Sequence, residues 1–592
     1  MPQVNPERGR VDAAMHQNAM KQNSSPITAD KLLDSLLAVG IEYVFANLGT
    51  DHVPIIEALA RRHHEGRPSP EFILCPHENI AIHMALGYAS ATGRGQAVMV
   101  HVDAGTANAA MGVANAARTR IPVLLMAGKA PFDVQGVLPG GRDNYVHFVQ
   151  DPFDIGSLVR PYLKWEYVLM SDVNLQEVTR RAHSVMHNEP GGPAFMVMPR
   201  EVLAAPVTRE EVTFDAQRFG PVALGGLSDD QIRSVADRLW QSADPVLVTS
   251  YLGRKPEAPG ILENFCECFG VRVVEANPTH LNINRASAWA AGFDASQHVA
   301  QADVIMLVDT DVPWLPKFVQ TRGDAFGVHI DVDASKSEFP MWGFGAQMRI
   351  QADTVVSLQA LTQYAQSHAT PDQHSKVAGR KAAWLERKSL PKPSTAPGPT
   401  PSAELALKPV LQALHRRMQA KDVLINEAIR NAPLVLNELT RTEPGTYFSN
   451  AGGGLGASAG WALGVKLADP TRRVVQVVGD GSFHFCTPSS FFAVARDHGL
   501  PVLTVVLNNG GWQAVKEAVL RMYPQGEAAD LGVFQANLRS HETRFGLIAE
   551  AFGAKGFEIA SVDVIETVLT AAFEVLDSGC SVLIDVRLTP VE

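Results

Sequence analysis

The stretch Val474–Trp512 reads VVQVVGDGSFHFCTPSSFFAVARDHGLPVLTVVLNNGGW and decides the fold of this chain. One apolar strand runs into Gly479-Asp480-Gly481, a helix is expected near Thr487, and a second apolar strand ends in Asn508-Asn509. Because the carboxyl ends of parallel strands share one edge of a sheet, we expect these side chains to meet there. The glycines let the backbone approach a ligand, and the helix start favours a phosphate. Carboxylate, amide and carbonyl oxygens together suit Mg²⁺ bridging a diphosphate.

Helical and strand patterns alternate along most of the chain in three blocks, at residues 27–205, 222–365 and 403–592. This alternation is typical of α/β domains built on parallel sheets, so we predict three such domains in series. The segment 366–402 includes LPKPSTAPGPTPS, and its polar, proline-rich composition predicts a surface linker. The polar residues 1–26 are expected to form a disordered arm.

Composition excludes several functions. The 592 residues are 46% hydrophobic and carry a net charge of −11, so a substantial core is expected and nucleic acid is not an expected partner. The five cysteines are scattered, and Cys266-Glu267-Cys268 lacks the spacing of metal or redox pairs, which favours a place in a helix core. We find neither a secretory signal nor an apolar run of about 18–20 residues, so we expect a cytoplasmic protein without a membrane partner.

The coupled Gly-Asp-Gly and Asn-Asn motifs resemble the signature of thiamine-diphosphate (ThDP) enzymes. The order of the three blocks is similar to the pyrimidine-binding, central and diphosphate-binding domains of the acetolactate synthase, benzoylformate decarboxylase and pyruvate oxidase group. The resemblance covers nearly all of the chain after the N-terminal arm. It implies that Asp480, Asn509 and the Gly511 carbonyl hold Mg²⁺, while Gly481 and Ser482 donate to phosphate oxygens.

Asp480 and Asn509 are somewhat farther apart than in the acetolactate synthase pattern. The additional residues lie in Phe483–Pro488, ahead of the predicted helix. The departure leaves the predicted fold unchanged and affects only the roof of the pocket.

Cys75-Pro76-His77-Glu78-Asn79 resembles the His-Glu motif of the same family. In that family a glutamate hydrogen-bonds the pyrimidine ring, so that a ring nitrogen can remove the C2 proton of the thiazolium. Glu78 is the matching residue. Taken by itself, a glutamate at this position is also explained by its attraction to a helix N-terminus.

The run Tyr447–Gly456 resembles the loop that supports the cofactor in benzoylformate decarboxylase. The resemblance makes Leu455 the wedge that holds the bent cofactor and the Gly453 carbonyl the acceptor for its pyrimidine amine. The turn that ends at Asn431 is similar to a phosphate-capping turn of the same relatives. Trp512 is expected beside the thiazolium, where apolar side chains exclude water.

Three residues are expected on the substrate side. His101 closes the strand VMVHV and matches an active-site histidine of benzoylformate decarboxylase, which implies proton transfer. Thr50 matches a serine that contacts the substrate carboxylate, and Gln150 resembles a cleft glutamine of acetolactate synthases. Taken alone, a histidine at a strand end is more often structural, and Thr50 is also explained as an ordinary turn hydroxyl.

Two features limit the resemblance. Val515 stands where pyruvate decarboxylases have a glutamate, and the pair His63-His64 is out of register with their histidine pair, which argues against a yeast-type pyruvate decarboxylase. FAD occurs within the group, but no feature of the central block marks a flavin or CoA-nucleotide site. Asp333–Ser337 resembles only the strand end that faces a nucleotide in some relatives.

The leading hypothesis is ThDP- and Mg²⁺-dependent cleavage or formation of a C–C bond beside a carbonyl, by non-oxidative decarboxylation or carboligation of a 2-oxo acid. The alternatives are a 2-hydroxyacyl-CoA lyase, or another lyase of 2-hydroxy carbonyl compounds, and a catalytically inactive cofactor-binding subunit. The family places the cofactor between Glu78 of one chain and the third domain of another. It therefore implies a homodimer or homotetramer.

Overall fold

A computed structural model describes residues 26–208, 216–389 and 405–588. Within these ranges the chain forms three α/β domains in series, each around a parallel sheet, as the sequence predicts. The strand orders are β2-β1-β3-β4-β6-β5, then β11-β10-β9-β7-β8, then β13-β12-β14-β15-β17-β16. Non-sequential neighbours in each order reflect helical crossovers, which pack helices against both faces of the sheets.

The first domain consists, in chain order, of α1 (Thr28–Ala38), β1 (Tyr43–Ala46), α2 (Val53–Glu65), β2 (Glu71–Leu74), α3 (Glu78–Thr92), β3 (Gln96–Val100), α4 (Val102–Thr119), β4 (Val123–Lys129), α5 (Val146–Val149), β5 (Trp165–Val168), α6 (Leu175–His187), β6 (Pro193–Pro199) and α7 (Arg200–Ala204). Strands β3 and β6 are buried along their whole length, and β4 is buried up to its last residue, Lys129, which explains why they are nearly continuous apolar runs.

The second domain consists of α8 (Asp229–Gln241), β7 (Pro245–Thr249), α9 (Ala258–Phe269), β8 (Arg272–Glu275), α10 (Ser296–Gln301), β9 (Val304–Val308), β10 (Phe326–Asp331), β11 (Met348–Gln351), α11 (Thr354–His368) and α12 (Pro371–Ser389). Cys266 lies buried in α9, in the helix core where the sequence places it.

The third domain consists of α13 (Leu407–Arg417), β12 (Val423–Glu427), α14 (Ala432–Glu438), β13 (Tyr447–Ser449), α15 (Ala457–Ala468), β14 (Val474–Gly479), α16 (Asp480–Phe485), α17 (Pro488–Asp497), β15 (Leu503–Asn508), α18 (Gln513–Met522), α19 (Glu527–Leu531), α20 (Phe545–Ala551), β16 (Lys555–Ile559), α21 (Ile565–Asp577) and β17 (Val582–Arg587). The additional residues ahead of the predicted helix belong partly to α16, a helical turn that starts at Asp480.

The predicted surface linker is wrong in its first half. Residues 371–389 form helix α12, which buries Val377 and Trp384 against the second domain. These two side chains are seven positions apart and therefore share one helix face, and Trp384 Nε1 donates to the carbonyl of Ala288 (2.8 Å). Polar side chains of α12 add to this contact, since Arg380 donates to the carbonyls of Leu239 and Ser242. The rest of the predicted linker, 390–402, and almost all of the predicted arm lie outside the described residues.

Helices α3 and α15 join the first and third domains. Gly460 and Gly464 of α15 face α3 so closely that a Cβ at either position would collide with the α3 backbone, and Gly87 of α3 is equally tight against Trp461. Small residues at a helix crossing allow the backbones to approach, so the two helix starts are held side by side. No helix in the described ranges is long and apolar enough to cross a membrane.

Candidate active site

The three predicted metal ligands meet at the carboxyl edge of the third sheet. Strands β14 and β15 are parallel neighbours, so Asp480 and Asn509 follow them at the same edge. One terminal atom of the Asn509 amide lies 3.0 Å from Asp480 Oδ1 and 2.8 Å from the Gly511 carbonyl oxygen. If that atom is the nitrogen, it donates to both oxygens. If it is the oxygen, three oxygens converge at a point that requires a cation.

The Asp480 carboxylate is not satisfied by protein groups alone. It is 2% exposed, and its Oδ2 has no hydrogen-bond partner among the described residues. Burial raises the pKa of Asp480 to about 6. Because an unpartnered buried carboxylate oxygen is costly, a bound cation would compensate it, and the donor set fits a hard metal ion. Within the described ranges, no three His, Cys, Asp or Glu side chains group into an alternative metal site.

Gly481 and Ser482 belong to the first turn of α16, where backbone N–H groups have no partner within the helix. Trp512 packs directly on Gly481, because a Cβ at this glycine would lie 2.5 Å from the indole ring. The predicted phosphate donors and the predicted apolar neighbour of the cofactor therefore lie next to the metal ligands.

Behind this edge lies a carboxylate that the sequence reasoning missed. Asp585, on β17, accepts a hydrogen bond from Asn508 Nδ2 (3.0 Å), and the same amide donates to the carbonyl of Ser540 (3.1 Å). These two bonds fix Asn508 directly before the predicted ligand Asn509. The sequence clue to Asp585 was the acidic residue within the apolar strand SVLIDVRL. This strand pairs with β15, so its acidic residue reaches the same edge.

Glu427 organises the start of helix α15. It lies at the end of β12 and accepts hydrogen bonds from the backbone N–H groups of Gly456 (2.6 Å) and Ser458 (2.9 Å), and from the Ser458 hydroxyl. The carboxylate therefore binds donors that an α-helix N-terminus leaves unpaired. Glu427 was also missed, although it lies in the motif that ends at Asn431. Asn431 itself precedes α14 and makes no side-chain cap there.

Amide side chains of the first domain hold the glycine-rich loop of the third. Asn115 Nδ2 donates to the Gly454 carbonyl (3.2 Å), while its Oδ1 accepts from the Gly454 N–H (3.1 Å). Asn79 Nδ2 donates to the carbonyls of Gly456 (3.2 Å) and Phe485 (3.1 Å). The loop that carries Leu455 is thus tied to α3 and α4 of the same chain.

Gly453 and Leu455 both keep solvent-accessible surface in this loop. Gly453 has φ +75°, which glycine adopts without strain, and a Cβ there would meet no atom within 4 Å. Leu455 is half-buried. The open surroundings leave space for a ligand beside both residues.

Glu78 is the first residue of α3, and it is buried. Its Oε2 accepts a hydrogen bond from Asn108 Nδ2 (3.1 Å), and the preceding His77 caps the helix by accepting from the Asn79 N–H (3.0 Å). A Cβ at Gly105 would lie 3.1 Å from Glu78 Oε1, so a glycine is needed where α4 passes the carboxylate.

His101 is held at both ring nitrogens. Its Nδ1 lies 2.6 Å from Asp51 Oδ1, and its Nε2 lies 2.9 Å from Gln150 Oε1. The hydrogen bond to Asp51 raises the pKa of His101 above its ordinary value, although partial burial opposes the shift. Burial would raise the pKa of Asp51, but the charge of His52 and the bond from His101 lower it.

The predicted substrate-side residues lie near one another. Thr50 directly precedes Asp51 and is exposed, and its Oγ1 lies 3.3 Å from His147 Nε2. Arg200 Nη1 donates to the Thr50 carbonyl (3.3 Å), which ties this turn to the end of the first sheet. Asp51 itself was missed by sequence reasoning. The sequence clue to Asp51 was its place beside Thr50. Both residues lie in the turn that follows β1, the strand that neighbours the strand of His101.

The fold brings together two groups of residues: a carboxylate, an amide and a carbonyl at the edge of the third sheet, and a glutamate and a histidine in the first domain. Residues 27–158 match the model of the thiamine pyrophosphate enzyme N-terminal TPP-binding domain, and residues 431–586 match the C-terminal TPP-binding domain. The chain thus contains both TPP-binding domains of the thiamine pyrophosphate enzymes, which confirms the family that the sequence motifs indicate.

Its curated relatives span nearly the whole chain. Acetolactate synthase of Bacillus subtilis (strain 168) is 23% identical over 94% of this chain and 92% of its own length. Benzoylformate decarboxylase of Pseudomonas aeruginosa (strain PAO1) is 24% identical over 93% of this chain and 97% of its own length.

Solved structures show the same fold. The ThDP-dependent 4-hydroxybenzoylformate decarboxylase of Rhodococcus jostii RHA1 superposes with a TM-score of 0.75 at 20% identity, over 95% of this chain and 99% of its own. Benzoylformate decarboxylase from Polynucleobacter necessarius superposes with a TM-score of 0.77 at 19% identity, over 96% of this chain and 99% of its own.

Proposed function

We propose that the protein is a ThDP- and Mg²⁺-dependent decarboxylase of 2-oxo acids that releases an aldehyde. The single observation that carries this proposal is the doubly hydrogen-bonded His101, with Asp51 at Nδ1 and Gln150 at Nε2. A decarboxylase must protonate carbon after CO₂ leaves, and a histidine whose charged form is stabilised is suited to that transfer. A carboligase would instead deliver the same carbon to a second carbonyl.

When bound, ThDP supplies the carbanion that adds to the carbonyl of the substrate. Asp480, Asn509 and the Gly511 carbonyl would hold Mg²⁺ and, through it, the diphosphate, with Gly481 and Ser482 beside it. Leu455 would support the bent cofactor. Glu78 would share a proton with the pyrimidine ring, and Asn108 keeps the Glu78 carboxylate in place.

Gln150 can serve both protonation states of His101. With its Oε1 towards Nε2, the amide accepts a hydrogen bond from the ring, and Asp51 accepts one at Nδ1, an arrangement that matches the doubly protonated imidazolium. After proton transfer, a half-turn of the amide presents its NH₂ group to the bare nitrogen. The donor site therefore stays hydrogen-bonded before and after the transfer.

We further propose that the active site lies between two subunits of a homodimer, as the family resemblance implies. Two sets of large apolar side chains are exposed on the single chain. One is in the first domain beside Gln150 (Tyr145 78%, Phe148 56%, Val149 68%), and one is in the third domain after Trp512 (Met522 71%, Tyr523 57%, Leu531 69%). Exposed patches of this kind mark protein interfaces, and their burial would also exclude water from the predicted thiazolium position.

The deciding experiment is steady-state measurement of CO₂ release and aldehyde formation by the purified protein with ThDP and Mg²⁺. The substrates are pyruvate and a series of branched, aromatic and linear 2-oxo acids. Stoichiometric CO₂ and aldehyde are expected. CO₂ with a carboligated product would instead establish a synthase. ThDP binding without CO₂ from any 2-oxo acid would contradict the proposal and favour a lyase of 2-hydroxy carbonyl compounds.

A further inference from the structure

A cavity of about 300 Å³ lies in the first domain behind Gln150. It is lined by the start of α4, the edge strand β5, its inner neighbour β6, the end of β4 and the segment 150–156. Most of its wall is apolar, with Val102, Ile155, Tyr167, Phe195 and Val197 among the contributors. This volume suits a small organic group.

The charged side chains at this cavity are paired with one exception. Arg160 donates to Asp154 (2.6 and 2.9 Å) and to Glu166 (2.7 Å), and Asp151 forms an ion pair with an arginine outside the cavity. Lys129 also lines the cavity. It has no hydrogen-bond or ion-pair partner in the described part of the chain. Lys129 is therefore the one lining cation, among the described residues, without a carboxylate partner, whereas each lining carboxylate is paired with an arginine.

The register of the sheet directs Lys129 towards this cavity. It ends β4, where Leu125, Ala127 and Lys129 pair with Phe195, Val197 and Pro199 of β6. Side chains of alternate residues in a strand lie on the same face. Since Phe195 and Val197 line the cavity, the Lys129 side chain leaves the sheet on the cavity side.

The cavity also borders the proposed proton donor. Gln150 lines it, and Gln150 Oε1 lies 2.9 Å from His101 Nε2. Val102, the residue after His101, forms another part of the wall. A substrate held at His101 therefore has this cavity beside it, past the Gln150 side chain.

We infer that the cavity receives the side chain of the 2-oxo acid and that Lys129 pairs with an anionic group at the far end of that side chain. This inference rests on the proposed function and specifies its substrate class: 2-oxo acids with a short apolar chain that ends in a carboxylate or a similar anion. An ammonium partly shielded by apolar walls attracts an anion more strongly than one in open water. Because Arg160 is paired with Asp154 and Glu166, Lys129 is the lining cation that can pair with the substrate.

The test compares substrates matched in chain length. kcat/KM is measured with the ThDP- and Mg²⁺-loaded enzyme for 2-oxoadipate against 2-oxohexanoate, and for 2-oxoglutarate against 2-oxopentanoate. The wild type should prefer the dicarboxylate over the monocarboxylate of at least one pair by about tenfold or more. Lys129→Met, which keeps the apolar stem, should remove that preference, and Lys129→Arg should retain it. Lys376→Met, an exposed lysine of α12, is the matched control and should behave as the wild type.

A binding measurement separates this inference from the proposed function. Calorimetry with adipate and hexanoate on the loaded enzyme should show tighter binding of adipate, lost in Lys129→Met. If no 2-oxo acid is turned over but this Lys129-dependent binding is found, the cavity assignment stands and the proposed reaction fails. If wild type and Lys129→Met do not differ, in substrate preference where turnover occurs or in adipate binding where it does not, the inference is overturned.

Discussion

The Oδ1 atom of Asp51 lies 2.6 Å from Nδ1 of His101, and Asp51 is almost fully buried. A buried carboxylate in this position fixes the histidine ring with its Nε2 towards Gln150 and stabilises the imidazolium. Asp51 is therefore a positioning residue that acts through His101. The pair lies at the carboxyl ends of two neighbouring strands, where the sheet brings together residues that are 50 positions apart.

Asp51→Asn should shift the pH dependence of turnover. His101 donates its proton only in the charged form, so activity is present at low pH and falls as pH rises through the raised pKa of His101. Removing the negative charge lowers that pKa, and the alkaline limb of kcat should move down by about one pH unit. Asp372→Asn, an exposed change in α12, is the control. An unmoved alkaline limb would contradict the role of Asp51.

The same pair should contribute to stability. Because the folded-state pKa of His101 is raised, its contribution is complete below the ordinary value of 6.5 and is lost as pH rises through the raised value. Thermal unfolding of the wild type should therefore show a decline in Tm across this range. The decline should be smaller in Asp51→Asn.

Glu78→Gln should bind ThDP with little change but lose turnover by about 10²–10⁴-fold, because the amide cannot share its proton with the pyrimidine ring. Cofactor binding is followed by calorimetry and turnover by CO₂ release. Glu71→Gln, in the exposed start of β2, is the matched control. Full activity of Glu78→Gln would refute the proton-relay assignment.

Asp480→Ala should weaken Mg²⁺-dependent ThDP binding by more than about 100-fold, since it removes the single carboxylate of the predicted ligand set. Titration of ThDP at fixed Mg²⁺, and of Mg²⁺ at fixed ThDP, measures the effect. Asp497→Ala, at the exposed end of α17, provides the comparison. Unchanged cofactor affinity in Asp480→Ala would mean that the metal is held elsewhere.

Glu427→Gln should destabilise the protein by about 1–3 kcal/mol, because an amide is a weaker acceptor for the buried N–H groups at the start of α15. The loop with Gly453 and Leu455 precedes that helix, so ThDP affinity should also fall. Chemical unfolding and cofactor titration test both effects, with Glu574→Gln on the exposed face of α21 as control. A stable variant with normal ThDP affinity would show that Glu427 has no part in holding the loop.

Mixing Glu78→Gln with Asp480→Ala after joint refolding should restore activity if the site is shared between subunits. One site of each mixed dimer then combines an intact first domain with an intact third domain, so random pairing recovers about a quarter of wild-type activity. Either variant alone should stay inactive. No recovery in dimers shown to be mixed would place Glu78 and Asp480 of one chain in the same site.

The meeting of polar side chains at one edge of the third sheet could be predicted because it depends on local sequence. Asp480 and Asn509 each follow an apolar strand, and the parallel sheet brings strand ends to one edge whatever the details of packing. Glu78 and His101 were singled out by resemblance to family motifs, and their roles stay predictions. Helix α12 was not predicted, because its composition is polar and only its docking against the second domain stabilises it.

The sequence by itself determined the three α/β domains and the polar residues at the strand ends, because alternating apolar patterns and strand-end glycines are local properties. Only the tertiary structure decided which side chains hold these residues. Asp51, Glu427 and Asn115 make their contacts with residues 50, 29 to 31 and 339 positions away. Such contacts arise from sheet order and helix packing, and no local pattern specifies them.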